Sequence, residues 1–540
     1  MVVFRIKLRQ AIQDVFREKD AQRYTPLPLG IRRTPRRSLR WSIACLGGFL
    51  TAFILVTHTY RLHHLGAHVA PPAFWLDKYV MFNNFPPNTI HPAIEVSSLN
   101  PYESTITRCP GPHGTVFPNL KYIVNPTEHP PHLIGSSKLT NLSDACMTRN
   151  QRYAPYEAIE FPSSDDNETQ PSPDRLHLNW RKSLDKCFDT RADGRPRTAI
   201  VLRSYDGYTY HHDDILNLRA LIIELGLNTG GQFDIFILHQ VKDGAAIFAD
   251  DEIWTNKARD AVPAEFEGFV ELWSEIQMRA LYPGLDVVDD WHRAGHINGV
   301  HRGNLAPLQW FATRHPEYDF FYNWEMDVRY IGNYYELLNK AEVFARGQPR
   351  GEMTWNNSQH WIIEGTQNWS PPSTTPSIGI GEEADLIAFD PIFDPINSGW
   401  YFEDDIVNYP SARSTPRRAS IITNARLSRP LLLALHAENS LGRHIHCEAF
   451  PASIAYARHL KAVYVPHPVF YEHDVDRREL DTKVNDQRFF GHEWDMNPST
   501  YYYRAGFAKT VYRGWHEHAE TCRRAVLLHP IKDVTDDGRW

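Results

Sequence analysis

The chain has 540 residues, 42% hydrophobic and 23% charged, the balance of a folded protein with a large core. Its formal net charge is −8, yet the first 40 residues carry 11 Lys and Arg against 3 Asp and Glu, so the rest is strongly acidic and a nucleic-acid-binding balance is excluded. Arg32, Arg33, Arg36, Arg37 and Arg40 lead into an uncharged run from Trp41 to Val56. Extended to Tyr60 it reaches about 20 residues, enough to cross a bilayer, with Trp41 and Tyr60 at the two interfaces. The excess of arginine before the run predicts residues 1–40 in the cytosol and a single-pass type II anchor at 41–60. A cleaved signal peptide is disfavoured by the long lead. No second comparable stretch follows, which excludes a transporter.

Residues 61–195 are dense in proline and hold no period for long, which predicts a stem or a small lumenal region, with a loose linker near 163–175. Beyond Cys45 stand Cys109, Cys146, Cys187, Cys447 and Cys522, an odd number whose pairing cannot be read from spacing; a staple of the stem through Cys109 and Cys146 is one expectation. Asn141, Asn167, Asn356 and Asn368 begin Asn-x-Ser/Thr sequons and can carry glycans in an oxidising lumen. A thin span favours the Golgi membrane over the plasma membrane.

At Thr198 the texture changes. Ala199–Arg203 reads as a buried strand, Asp213–Leu225 as a helix with Ile215, Leu218, Leu221 and Ile222 inward, and Phe233–Leu238 as a second strand. A strand, helix and strand in about 40 residues make a βαβ unit and predict a mainly parallel sheet flanked by helices over 196–540. Ligands of such sheets bind beyond the carboxyl ends of the strands, so Arg203, Tyr205 and Asp206 become candidate nucleotide contacts, beside the plainer reading of a turn with a surface ion pair. Helices are expected around Phe269–Leu281, at Asn304–His315 and at Tyr334–Phe344.

The stretch from Tyr318 to Asn333 opens on an apolar, aromatic run suited to a central strand and ends in Glu325 and Asp327. An extended Glu-Met-Asp would place the two carboxylates side by side, a seat for Mn2+ or Mg2+ completed by substrate phosphates. About eight acid-x-acid triplets are expected by chance in such a chain, so context must carry the motif. Downstream, Gly399-Trp400 precedes Glu403, Asp404 and Asp405: these acids can supply a general base, and Trp400 a face for a sugar ring. The same acids suit a solvated helix start. His436, His444 and His446 precede a helix at Pro451–Leu460, and a last strand, Ala462–Val465, runs into Pro466-His467-Pro468. His467 reads either as a turn residue or as a third metal ligand.

This order of parts resembles Golgi type II glycosyltransferases of the GT-A fold, a Rossmann-like class: basic tail, span, stem, then an α/β domain with an acid-x-acid element. Glu325-Met326-Asp327 resembles their Asp-x-Asp, and Gly399-Trp400 with Glu403-Asp404-Asp405 resembles the Gly-Trp…Glu-Asp-Asp segment of galactosyltransferase-like members. The stretches 324–332, 383–387 and 461–468 are similar to a fungal family of unknown function, over roughly 195 to 515. The GT-A resemblance implies a metal at Glu325, Asp327 and His467, a nucleotide-sugar donor, a glycan or glycoprotein acceptor, and Asp404 or Asp405, beside Glu403, as base if the reaction inverts. Glu in place of the first Asp and the missing glycines near Asp405 depart from the pattern. A non-catalytic carbohydrate-binding or scaffold protein on a degenerate transferase fold is the alternative; a hydrolase lacks Gly-x-Ser-x-Gly and His-Glu-x-x-His motifs.

Overall fold

A computed structural model describes strand Ala93–Glu95 and most of residues 107–534; the main segments outside the described residues are 1–92, 96–106, 125–132, 137–144, 160–177, 287–294, 364–377, 486–495 and 535–540. The expected tail and membrane span therefore lie outside them. No described helix is long and apolar enough to cross a membrane. Asn88 to Trp540 form one compact unit.

The chain begins with β1 (Ala93–Glu95), β2 (Lys121–Val124), β3 (Leu133–Ile134) and β4 (Ala145–Met147), followed by α1 (Arg149–Glu157) and α2 (Trp180–Thr190). β1, β2 and β4 pair antiparallel. The described parts of the expected stem pack onto the α/β region. Tyr122 donates to Glu336 Oε2 at 2.7 Å, and Arg152 meets Glu224 at 2.5 Å with both side chains buried. Cys109 and Cys146 do not staple the stem internally. Cys109 bonds to Cys187 and Cys146 to Cys522, because β4 carries Cys146 into register with a strand from near the other end of the chain.

The βαβ unit forms as expected: β5 (Thr198–Tyr205), α3 (His212–Leu221) running into a π turn, and β6 (Phe233–Gln240). Where one helix was expected from Phe269 to Leu281, two elements stand. Val270–Trp273 alternates and pairs with β6 as β7; only after Ser274, whose hydroxyl accepts the Gln277 N–H at 3.2 Å, does α4 (Glu275–Leu281) begin. Then come α5 (Ala306–Arg314), β8 (Phe320–Glu325), β9 (Arg329–Tyr330) and α6 (Tyr334–Gly347).

The later half supplies β10 (Leu386–Ala388), β11 (Ile406–Val407), β12 (Asn424–Ser428), α7 (Arg429–Ser440), β13 (His444–Ile445), α8 (Phe450–Ala457), β14 (Ala462–Tyr464), β15 (Val469–Phe470), α9 (Gly506–Glu517), β16 (Arg523–Arg524) and β17 (Leu527–Leu528). β10, β12 and α7 carry no expectation from the sequence. The central sheet runs β14-β10-β12-β8-β5-β6-β7. It is parallel throughout except for β12, which is antiparallel to both its neighbours. Helices flank it, giving a mixed α/β architecture. Phe321, Tyr322 and Trp324 of β8 are fully buried, each worth roughly 1.5–3 kcal/mol of apolar burial.

Candidate metal centre

The carboxyl ends of β5, β6, β8, β10 and β14 share one edge of the sheet with the start of β12, since β12 alone is reversed. Val201, Asn323, Ala425 and Ala388 stand abreast on β5, β8, β12 and β10. Two residues further towards this edge come Arg203 and Glu325, on the same side of the pleat, and Asp390, in the bend just past β10. Arg203 and Glu325 are direct register partners, and the Arg203 guanidinium is ion-paired with the Glu325 carboxylate.

β8 stops at Glu325, and Met326 and Asp327 form a turn rather than the extended pair the sequence suggested. Buried Arg329 holds that turn. It donates to Met326 O at 2.6 Å and is gripped by Asp213 and Asp214, at 2.8 and 2.7 Å, from the first turn of α3. The βαβ helix thus anchors the loop that presents Asp327.

The third member is His529. β17 pairs with β9, two residues past Asp327, and Ile531 N donates to Asp327 O at 2.8 Å, so the C-terminal strand delivers His529 against the turn. Its Nε2 lies 3.1 Å from Glu325 Oε2 and 3.5 Å from Asp327 Oδ1. Its Nδ1 faces Tyr502 O at 2.9 Å. One ligand atom from each of Glu325, Asp327 and His529 lies within 4.8 Å of the others. Burial opposes charge on all three groups, yet their pairing prevails. Arg203 and His529 hold Glu325 below the usual carboxylate value; His529 and Lys532 hold Asp327 at about 2; the two carboxylates raise His529 to about 10. By themselves the three side chains make an imidazolium clamped between two carboxylates. A divalent cation suits the same three atoms: hard oxygens, one imidazole nitrogen, and an Nδ1–H donated to a carbonyl that fixes the ring.

His467, the expected third ligand, stands elsewhere. Its ring packs 4.7 Å from Tyr501 and 5.6 Å from Phe389, and its Nδ1 is 3.2 Å from Pro468 O. Burial lowers it to about 4, so it is a neutral core histidine. Asp405 is fully buried, with Arg302 Nε 3.0 Å from each of its oxygens and Nη2 2.5 Å from Oδ1. Glu403 caps the Gly399 N–H at 3.3 Å, and Asp404 is exposed. Trp400 offers no open face: it is buried against Phe393, Phe402 and His446. Tyr205 is 47% exposed beside Lys242, whereas Asp206 accepts from Lys242 N at 3.0 Å and meets His239 at 3.2 Å and Lys257 at 2.7 Å. Of the nucleotide candidates, Arg203 alone contacts the triad.

Two residues of the edge escaped the sequence. His529 follows Val526-Leu-Leu, a short apolar run broken by His-Pro, the same signal that drew notice at 462–468. Asp390 ends Leu386-Ile-Ala-Phe in the same manner. It is 1% exposed, among the described residues only the Tyr501 hydroxyl reaches its carboxyl group, and burial together with Glu448 pushes its pKa well above the usual range.

No curated protein matches the chain. The model of one family, described as a protein of unknown function, DUF3405, matches residues 136–373 and 366–533, which is most of the sequence and takes in the whole edge from Arg203 to His529. The chain belongs to the DUF3405 family.

Proposed function

We propose that the protein is a metal-dependent glycosyltransferase with a GT-A-like domain, moving a sugar from a nucleotide-diphosphate donor to a glycan or glycoprotein acceptor. The proposal extends to its place: a single-pass type II protein of the Golgi membrane, with residues 61–540 in the lumen. What carries the reading is the meeting of Glu325, Asp327 and His529 at the carboxyl edge of a mainly parallel sheet, where ligands of such sheets bind. Glu325, Asp327 and His529 would hold Mn2+ or Mg2+, and such an ion, when bound, supplies positive charge opposite a diphosphate leaving group.

The remaining work falls to the chain's own groups. Arg203 balances Glu325, and its Nε, which has no hydrogen-bond partner among the described residues, adds a donor for a phosphate oxygen. Tyr205 presents a ring face at the end of β5, and Asp206, braced by Lys257 and His239, gives that corner a fixed acceptor. Asp404, exposed on the Trp400–Asp405 turn, is the candidate base for an acceptor hydroxyl; Asp405, clamped by Arg302, positions the turn.

The test is Mn2+-dependent binding of a nucleoside diphosphate by the purified protein, followed by a screen of nucleotide sugars for metal-dependent hydrolysis. Binding by the parent that Asp327→Asn abolishes is expected; a parent that binds no diphosphate with Mn2+ present overturns the reading. The engagement of Asp405 by Arg302 favours one second reading, a carbohydrate-binding or scaffold protein on a degenerate transferase fold. It predicts glycan binding without any metal-dependent turnover.

A further inference from the structure

Asp390 has no part in the function just proposed, and its surroundings do not explain it as a core residue. A carboxyl group taken out of water with too few hydrogen-bond donors is destabilising, and native structures keep such groups for a reason. One donor is in reach of the Asp390 carboxyl group: the Tyr501 hydroxyl, whose single proton is shared with Asn424 Oδ1. Ser420 Oγ donates to the backbone oxygen of Asp390 at 3.1 Å, not to its side chain. Among the described residues neither Oδ1 nor Oδ2 has a well-formed hydrogen bond beyond the shared Tyr501 hydroxyl.

Position supplies the missing reason. Asp390 and Glu325 sit two residues beyond the abreast pair Ala388 and Asn323, with β12 alone between their strands; Glu325 ends β8 and Asp390 stands in the bend after β10. Two strand spacings set their backbones roughly 10 Å apart, too far to share a first coordination shell, yet within the span of an ion and one layer of water. The charged neighbours of Asp390 are His529, which favours its charge, and Glu448, which opposes it, so its field reaches the triad directly.

We propose that Asp390 is a further group of the metal centre, a carboxylate that accepts hydrogen bonds from the hydration shell of a divalent cation held by Glu325, Asp327 and His529. It tightens the ion without touching it. The inference rests on the reading of that triad as a cation site, and it adds a positioning residue just past a strand that nothing else assigns to the site. Outer-shell partners of this kind typically contribute about 10- to 100-fold in metal affinity.

The experiment compares the full chain, purified in detergent, with Asp390→Asn and Asp390→Ser. Mn2+ binding is followed by the electron paramagnetic resonance of the free ion, and thermal unfolding is recorded in EDTA and in excess Mn2+. The expected pattern has opposite signs. In EDTA both variants melt at or above the parent, because a buried carboxyl group short of donors has been removed; their Mn2+ dissociation constants rise about 10- to 100-fold and the stabilisation by Mn2+ shrinks. A core role alone gives the reverse, a lower melting temperature in EDTA with an unchanged dissociation constant, and overturns the proposal, as does unchanged affinity at any stability. A parent that fails to bind Mn2+ overturns the triad reading as well, a result distinct from parent and variants binding alike.

Discussion

His529 Nδ1 donates to the carbonyl of Tyr502 at 2.9 Å, and that one contact decides which nitrogen meets the acids. With Nδ1–H spent on the backbone, Nε2 is left for Glu325 and Asp327. His529→Gln is therefore expected to remove measurable Mn2+ binding by isothermal titration calorimetry, whereas His467→Phe leaves the affinity as in the parent. Loss of binding in the His467 variant alone would reverse the assignment.

His467 contributes instead to the loss of stability in acid, as does buried His444, whose pKa is also lowered to about 4. The folded pKa of His467, near 4, lies below the value of 6.5 it has when unfolded, so the unfolded chain binds the extra proton between these two values. Its contribution to stability is complete above pH 6.5 and is lost as the pH falls towards 4. The ceiling of this loss is about 3 kcal/mol. Urea midpoints measured from pH 7 to pH 4 should fall steeply for the parent and more gently for His467→Phe.

The Cys146–Cys522 bond closes a loop of 376 residues and fastens β16 to β4, just ahead of the segment that bears His529. In the chain-entropy account such a loop stabilises the fold by about 6 kcal/mol. Cys146→Ser with Cys522→Ser is expected to weaken Mn2+ binding together with stability. The Cys109→Ser and Cys187→Ser pair lowers stability only, since that bond ties a loop to α2 and touches none of the strands that carry Glu325, Asp327 and His529. Equal affinities in the two double variants would separate the C-terminal anchor from the metal centre.

Arg302 and Asp405 form a buried pair whose separation leaves a lone charge inside, at a cost of about 3–5 kcal/mol. Asp405→Ala should thus lower the melting temperature strongly. Asp404→Asn, altering an exposed side chain, should leave it within a degree or two and abolish sugar transfer while sparing donor binding. An active, stable Asp404→Asn protein removes Asp404 as the base.

The βαβ unit and the β8 strand were legible because each is a local pattern: apolar runs at Ala199–Arg203, Phe233–Leu238 and Phe320–Trp324, and helical spacing between the first two. β7 was lost inside a longer apolar stretch, where only Ser274 marks the change of period. β10 and β12 were illegible for a different reason. Leu-Ile-Ala is three residues long, and Asn-Ala-Arg-Leu-Ser is polar at both ends; each becomes a strand only because neighbours on both sides complete its ladder. At the centre, Glu325 and Asp327 could be named from one tripeptide. His529 and Asp390 could not, since what selects them is the pairing of β17 with β9 and of β10 with β12, contacts between distant parts of the chain. Likewise Asp405 drew attention as an acid among acids, and nothing local announced that Arg302, about a hundred residues earlier, would claim it.

The pairing of β17 with β9 also has a temporal side. Asp327 leaves the ribosome some two hundred residues before His529, a lag of roughly ten to forty seconds at ordinary rates of synthesis. Throughout that interval the growing polypeptide displays two acids with no imidazole between them, and β9 has no partner strand. Any product that terminates before residue 529 stays in that half-built condition, so possession of the third ligand reports that translation has run past residue 529.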